Sequence, residues 1–226
     1  MNVNPKLILA LIYIFCLAAL LILLFSNLDL KDLKDFYYIK KNSEALINFK
    51  DENFLLFIFI FLALSILWIF FLGFAGPIAI LSGFIFGQWL GTLISVISFT
   101  IGSTSLYIFG RYYFREFIIR HLEKKIEKYK NLFKKNELLY FMTFRFVGGA
   151  GMPFGIQNVL PVIFDMKIKN YFYATFLGLF PSVFIINSLG SGFEKLIEKS
   201  ENLNYKSIIL DPGIYWPIIG FVLILI

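Results

Sequence analysis

Apolar residues along this chain come in long runs, separated by a few polar blocks. The first run is Leu7–Phe25, and a polar segment, 26–53, follows it. From Asn53 through Gly110 there is no Asp, Glu, Lys or Arg. Later apolar stretches cover Leu138–Phe164, interrupted by Arg145 alone, then Tyr171–Gly190 and Ile214–Ile226. A membrane-crossing helix needs about 20 apolar residues. The pattern therefore predicts an all-α integral membrane protein, a polytopic helical bundle. Leu7–Phe25 is long for a signal peptide and no small-residue cleavage site follows it, so it reads as an uncleaved first span. The last run is short after Pro217, so the final span is either short or cut off.

Composition strengthens this reading. Apolar residues make up 59% of the chain and charged residues 16%, with 29 Phe. Soluble domains hold about 45–50% apolar and about 25% charged residues. A net charge of +6 could serve a nucleic-acid partner, but the charges sit in a few short blocks, which argues against one. The single cysteine, Cys16, lies inside an apolar run and can form no internal disulfide.

Charge placement then constrains topology. The segment 111–137 carries nine of the 21 Lys and Arg residues against four acids. Positive charge marks the cytoplasmic side. That side is expected for 111–137 and for the loop holding Lys167 and Lys169, whereas 26–53 and 191–212 are nearly balanced and are expected outside. If 54–72 crosses inward, then 76–110 and 138–165 each begin and end inside, as hairpins. A full span for 76–110 is the other arrangement that the charges allow. Both stretches are rich in glycine and proline, and broken helices at membrane depth survive where they are buried in protein or line a wet cavity. Two such breaks point to a transport site. The chain divides into a first span with its loop (1–53), a core with two broken re-entrant hairpins (54–192) and a final loop and span (193–226).

Few side chains could carry chemistry. Gly83, Gly87 and Gly91 recur every four residues, which puts them on one face of a continuous helix, for close packing or as a thin wall beside a substrate path. Arg145 is an isolated charge in an apolar stretch. It suits bidentate contact with a phosphate, or it snorkels to nearby headgroups. Arg111, after Gly110, either anchors a helix end or meets substrate. Pro153 and Pro181 are expected to break their helices. Asn158 is placed to satisfy a freed backbone group or to face a polar path. Phe114, Ile118, Leu122, Ile126, Tyr129 and Phe133 fit an amphipathic helix, lying on anionic lipid or packed on its own bundle. No acid lies in 53–110, 138–164 or 171–190, which weighs against a proton relay. The only histidine, His121, sits in the basic segment, and no nucleotide-binding loop or metal-ligand spacing occurs. Neither a cofactor nor an enzyme activity is expected.

Three motifs in order resemble the DedA-like superfamily, also called the VTT-domain or SNARE-associated Golgi protein family. They are Gly76-Pro-Ile-Ala-Ile-Leu-Ser-Gly83-Phe-Ile-Phe-Gly87-Gln-Trp-Leu-Gly91 with Gly102 and Gly110-Arg111; Phe144-Arg145-Phe-Val-Gly-Gly-Ala-Gly-Met-Pro153-Phe154-Gly-Ile-Gln-Asn158; and Phe172-Tyr-Ala-Thr-Phe-Leu-Gly178-Leu-Phe-Pro181, ending at Gly190. The resemblance covers about 54–192. It implies two re-entrant hairpins facing each other, a multi-pass location in a bacterial plasma membrane, and lipid translocation: scrambling or flipping of phospholipids or polyprenyl phosphates. Membrane lipids with anionic headgroups are the implied partners. Arg145 and Arg111 fall on basic positions of the family pattern. Pro153, Phe154, Gly178 and Pro181 fall on its hairpin and helix breaks. The acids of DedA proper are missing here, which favours an uncoupled lipid scramblase or a lineage with another substrate. A small-solute or ion transporter and a non-transporting scaffold are the competing functions.

Overall fold

The computed structural model describes residues 36–126, 130–199 and 212–225, with Ile12, Tyr13, Phe15, Ala18, Ala19 and Ile22 of the first apolar run. The reading of Leu7–Phe25 as a span, Cys16, the segment 200–211 and Ile226 lie outside the described residues. Helix α1 (Phe36–Glu52) sits in the polar segment, and α2 (Phe54–Leu72) follows. The latter is apolar on every side, and Leu55 and Phe59 stay about 70% exposed. A helix with no polar face belongs against lipid or inside a large core, and this one has little core around it. It ends at Gly73, whose φ of 59° lets its N–H close on the Ile69 carbonyl.

Helix α3 (Gly76–Tyr113) contains a reversal at Gly87, with φ 75° and ψ 174°. Nine residues of straight helix span about 13 Å. Yet Ser82 Oγ donates to the Gly91 carbonyl at 2.9 Å, so the chain has folded back. The two arms differ in length. The short arm, 76–86, rises about 16 Å and the long arm, 88–113, about 39 Å, at 1.5 Å per residue. The tip sits level with the start of α2: Phe57 and Phe61 pack edge-on against Phe86, and Lys50 Nζ donates to the Ile85 carbonyl. Charge parity had 76–110 starting and ending at one face. In the fold the two arms are unequal, so the long arm runs on well beyond the level at which the short arm begins. Gly76 therefore starts beside Phe99, part-way along the long arm.

A second reversal lies between α6 and α8. After the basic helices α4 (Arg115–Ile126) and α5 (Lys130–Lys135), α6 (Glu137–Phe146) enters the bundle. A 3-10 turn (Gly148–Gly151), Pro153 and the short α7 (Phe154–Val159) bring the chain back. Glu137 accepts from the Lys167 amide at 3.3 Å and from Asn170, so entry and exit lie at the same level. This stretch doubles back on itself. Gly148, Gly149 and Gly151 all have φ of 70–75°, conformations that a side chain would strain.

Helix α8 (Ile168–Lys199) is the mast that carries both reversals, and α9 (Pro212–Leu225) packs on it. Its lower half meets α6 at Gly178, where an added Cβ would come within 2.6 Å of the Met142 carbonyl. Its upper half meets the first hairpin at Asn187 and Gly190. Pro181, expected to break this helix, sits inside it without ending it. One hydrogen bond is lost there, and packing against both hairpins holds the rest. The basic segment turns inward: Ile118 and Phe133 are buried in the core around Tyr107 and Phe141, so it packs on its own bundle. The side chains of Leu122, Ile126 and Tyr129 lie outside the described residues.

Candidate functional site

The two reversals meet in the middle of the bundle. Gly73 approaches Gly155 so closely that a Cβ on Gly73 would lie 2.9 Å from the Gly155 Cα. Phe99 of the long arm meets Phe154 at 6.1 Å between ring centres. Beside this contact is a cavity of about 390 Å³, lined by Gly76, Ala79, Phe99, Phe154, Gln157 and Val183 among others. Phe74 and Met152 also line it and are themselves exposed, so its rim reaches the surface of the bundle.

Arg145 lies beneath this cavity and is fully buried. Its Nη1 donates to Gln157 Oε1 at 3.2 Å, and its Nη2 donates to Asn158 Oδ1 at 2.5 Å and to the Tyr171 hydroxyl at 3.0 Å. The guanidinium also stacks over Phe141 and Phe154, each at 4.9 Å. Among the described residues no Asp or Glu pairs with it. Charge-assisted bonds to neutral acceptors contribute about 1.5–3 kcal/mol each. That is the same order as the several kcal/mol lost when an ion leaves water. The side chain is thus held inward by neutral oxygens and aromatic faces, and it does not snorkel. Its charge stays uncompensated. The Arg145 Nε and the Asn158 Nδ2 make no hydrogen bond to protein.

The other residues singled out from the sequence fall into separate places. Pro153 caps α7 and Phe154 covers the guanidinium, so both belong to the site. Gly178 lets α6 approach α8 at the Arg145 Cβ. Arg111 sits apart, at the entry level of the second reversal. Its Nη2 meets Asp165 at 2.9 Å and its Nη1 donates to the Met166 carbonyl. The three glycines do not share one helix face, because Gly87 is the turn itself. A Cβ there would meet nothing within 4 Å, whereas at Gly83 or Gly91 it would run into Asn187. Among the described residues no cluster of His, Cys, Asp and Glu could hold a metal ion.

The VTT domain matches residues 74–192, which hold both reversals and most of α8. The chain belongs to the VTT-domain family. Relatives span animals, amoebae and bacteria. The chain is 24% identical over 180 residues to the Transmembrane protein 41 homolog of Caenorhabditis elegans, covering 77% of this chain and 72% of that one. It is also 24% identical to the Transmembrane protein 41 homolog of Dictyostelium discoideum, over 78% of this chain and 53% of that one. To the uncharacterized protein YqeD of Bacillus subtilis it is 26% identical, over 51% of this chain and 56% of that one. No solved structure matches. Family membership and three helices long and apolar enough to cross a bilayer, Phe54–Leu72, Gly76–Tyr113 and Ile168–Glu194, make this an integral membrane protein of a family linked to transport.

Within the VTT domain, sequence reasoning passed over Gln157, Tyr171 and Asn187. Tyr171 lies 26 residues beyond Arg145 and looks like one more aromatic in an aromatic-rich helix. Gln157 stands next to Asn158, and being polar in an apolar stretch was its only signal. Asn187 carried that same signal, the one amide in Tyr171–Gly190.

Proposed function

We propose that this VTT-domain protein moves lipids between the two leaflets, as an uncoupled scramblase or flippase of phospholipids or polyprenyl phosphates. The observation that carries the reading is the cationic floor of an otherwise apolar cavity. An uncompensated guanidinium in a low-dielectric site attracts an anionic headgroup far more than it would in water. The cavity wall is apolar, and its rim lies beside helices suited to lipid, so acyl chains can stay outside while a headgroup enters. The two reversals act as re-entrant hairpins in this reading, and the basic helices α4 and α5 lie at the cytoplasmic face of a bacterial plasma membrane near anionic lipid. The full multi-pass topology belongs to the same reading.

The test is reconstitution. Purified protein in liposomes holding a trace of fluorescent phospholipid is exposed to a membrane-impermeant reductant that bleaches only the outer leaflet. Bleaching beyond the outer-leaflet share, repeated across headgroups, supports the reading and ranks its substrates. Bleaching that stops at the outer-leaflet share in every case sinks it. Uptake of a soluble solute without lipid movement would instead support a small-solute transporter on the same scaffold.

A further inference from the structure

Arg145 is on the lining of the cavity but has no exposed surface, and one neighbouring side chain on the same lining engages it. Gln157 lines the cavity and is 5% exposed. Its Oε1 accepts from Arg145 Nη1 at 3.2 Å. Its Nε2 donates to the Met152 carbonyl at 2.7 Å and to the Gly148 carbonyl at 3.3 Å, both in the tip of the second reversal. The amide is thus engaged at both ends, and its oxygen occupies the Nη1 donor of the guanidinium. It also lies directly against Gly149, where even a methyl group would overlap it.

We infer that Gln157 is the gate of an anion site: its Oε1 occupies the seat that an anionic phosphate oxygen takes on Arg145. This rests on the lipid-translocation reading for the identity of the anion's carrier, but the site itself can be tested alone. A neutral amide oxygen satisfies a guanidinium donor without neutralising its charge. A phosphate oxygen carries charge and forms the stronger, shorter bond, so it can displace the amide. A carboxylate at the same position would not yield. The Arg145 Nε and Asn158 Nδ2, both fully buried and without a protein partner, leave two further donors within the cluster. Rotation of Gln157 releases the Met152 and Gly148 carbonyls, in a tip where three of five residues are glycines with positive φ and few side chains need repacking.

The experiment compares wild type, Gln157→Glu and Gln157→Asn in the full chain. In detergent micelles, short-chain phosphatidate is expected to raise the melting temperature of wild type and of Gln157→Asn, and to leave Gln157→Glu unchanged. Inorganic phosphate in a parallel arm separates a headgroup held by its lipid from a free anion. In liposomes of phosphatidylcholine and phosphatidylglycerol, Gln157→Glu is expected to slow translocation by about tenfold or more. Gln157→Asn, too short to hold the guanidinium donor, is expected to exceed wild type, and a rate no faster than wild type counts against the gate. Stabilisation of Gln157→Glu equal to wild type, or equal loss in both variants, overturns the gate. If Gln157→Glu does not fold, the Asn variant decides alone: retained stabilisation supports the gate and its loss overturns it. Wild type that binds phosphatidate but moves no lipid would remove the transport reading and leave the gate standing.

Discussion

The two reversals look alike in outline and differ in what fills them. The first is neutral. Gly83 and Gly91 face each other across Asn187, and buried hydroxyls such as Thr92, Ser95 and Ser98 line the long arm. The second contains a buried cation with three side-chain acceptors and two aromatic covers. In the first, Gly83 and Gly91 serve close approach and Gly87 serves the backbone turn; in the tip of the second, glycines serve backbone conformation. The first reversal is therefore a packing device that sets the wall, and the second holds the chemistry. Substitutions that damage fold and substitutions that damage function should separate along this line.

Gly83→Val gives the largest effect expected. Its Cβ would overlap the backbone of Asn187, and backbone cannot swing aside as a side-chain tip can. The loss belongs with the worst core clashes, above about 4 kcal/mol. Size-exclusion chromatography in detergent should show aggregate or no protein. A monodisperse variant with wild-type melting would remove the packing role of the first reversal.

Arg145→Leu should do the opposite. Asn158, Gln157 and Tyr171 each lose a partner, at about 1–3 kcal/mol apiece. Relief of a buried charge offsets this by several kcal/mol. Melting should stay within a few degrees of wild type while translocation falls by about 100-fold, the loss of about 2.7 kcal/mol of headgroup interaction. Thermal melts beside the liposome assay check both halves. Loss of fold together with loss of rate would erase the contrast between the two reversals.

Much of this division was legible in the sequence. Arg145 stands out because no other charge interrupts Leu138–Phe164, and the glycine and proline positions mark where helices cannot run straight. What the sequence hid was geometric. Three glycines at equal spacing look equivalent, and only the fold makes Gly87 the turn and its neighbours the contacts. Loop charge counts sides of a membrane, not depth, so it could not place Gly76 part-way along the long arm. Pro181 removes a hydrogen bond in any helix, but whether the helix survives depends on neighbours that sequence spacing does not name. Partners of Arg145 were missed where they were distant or chemically ordinary, as Tyr171 is among twelve tyrosines.

Gly87→Ala sharpens the comparison from inside the first reversal. No atom lies within 4 Å of the added Cβ, so no clash contributes. The cost is conformational: φ 75° with ψ 174° is a region that glycine alone occupies freely, and holding another residue there costs about 1–3 kcal/mol. The variant should fold with a lowered melting temperature and keep its translocation rate. A collapse as severe as that of Gly83→Val would mean that the tip is packed after all.

The smallest effect is expected at the entry level of the second reversal, away from its chemistry. Asp165 has φ 57°, a left-handed conformation that Asp and Asn both tolerate. Its carboxylate meets Arg111 at 2.9 Å, with side chains 54% and 31% exposed. Exposed ion pairs of this kind contribute about 0.2–1 kcal/mol and are screened by salt. Asp165→Asn keeps the backbone and loses the pair. Arg111 retains its bond to the Met166 carbonyl, which Tyr107 also reaches, so the hairpin exit stays tied to the long arm. Melting should fall by no more than a degree or two, less at high salt, with translocation unchanged. If translocation fell with melting preserved, Arg111 would be an active part of the lipid path, and the chemistry would extend beyond the buried cation to the mouth of the second reversal.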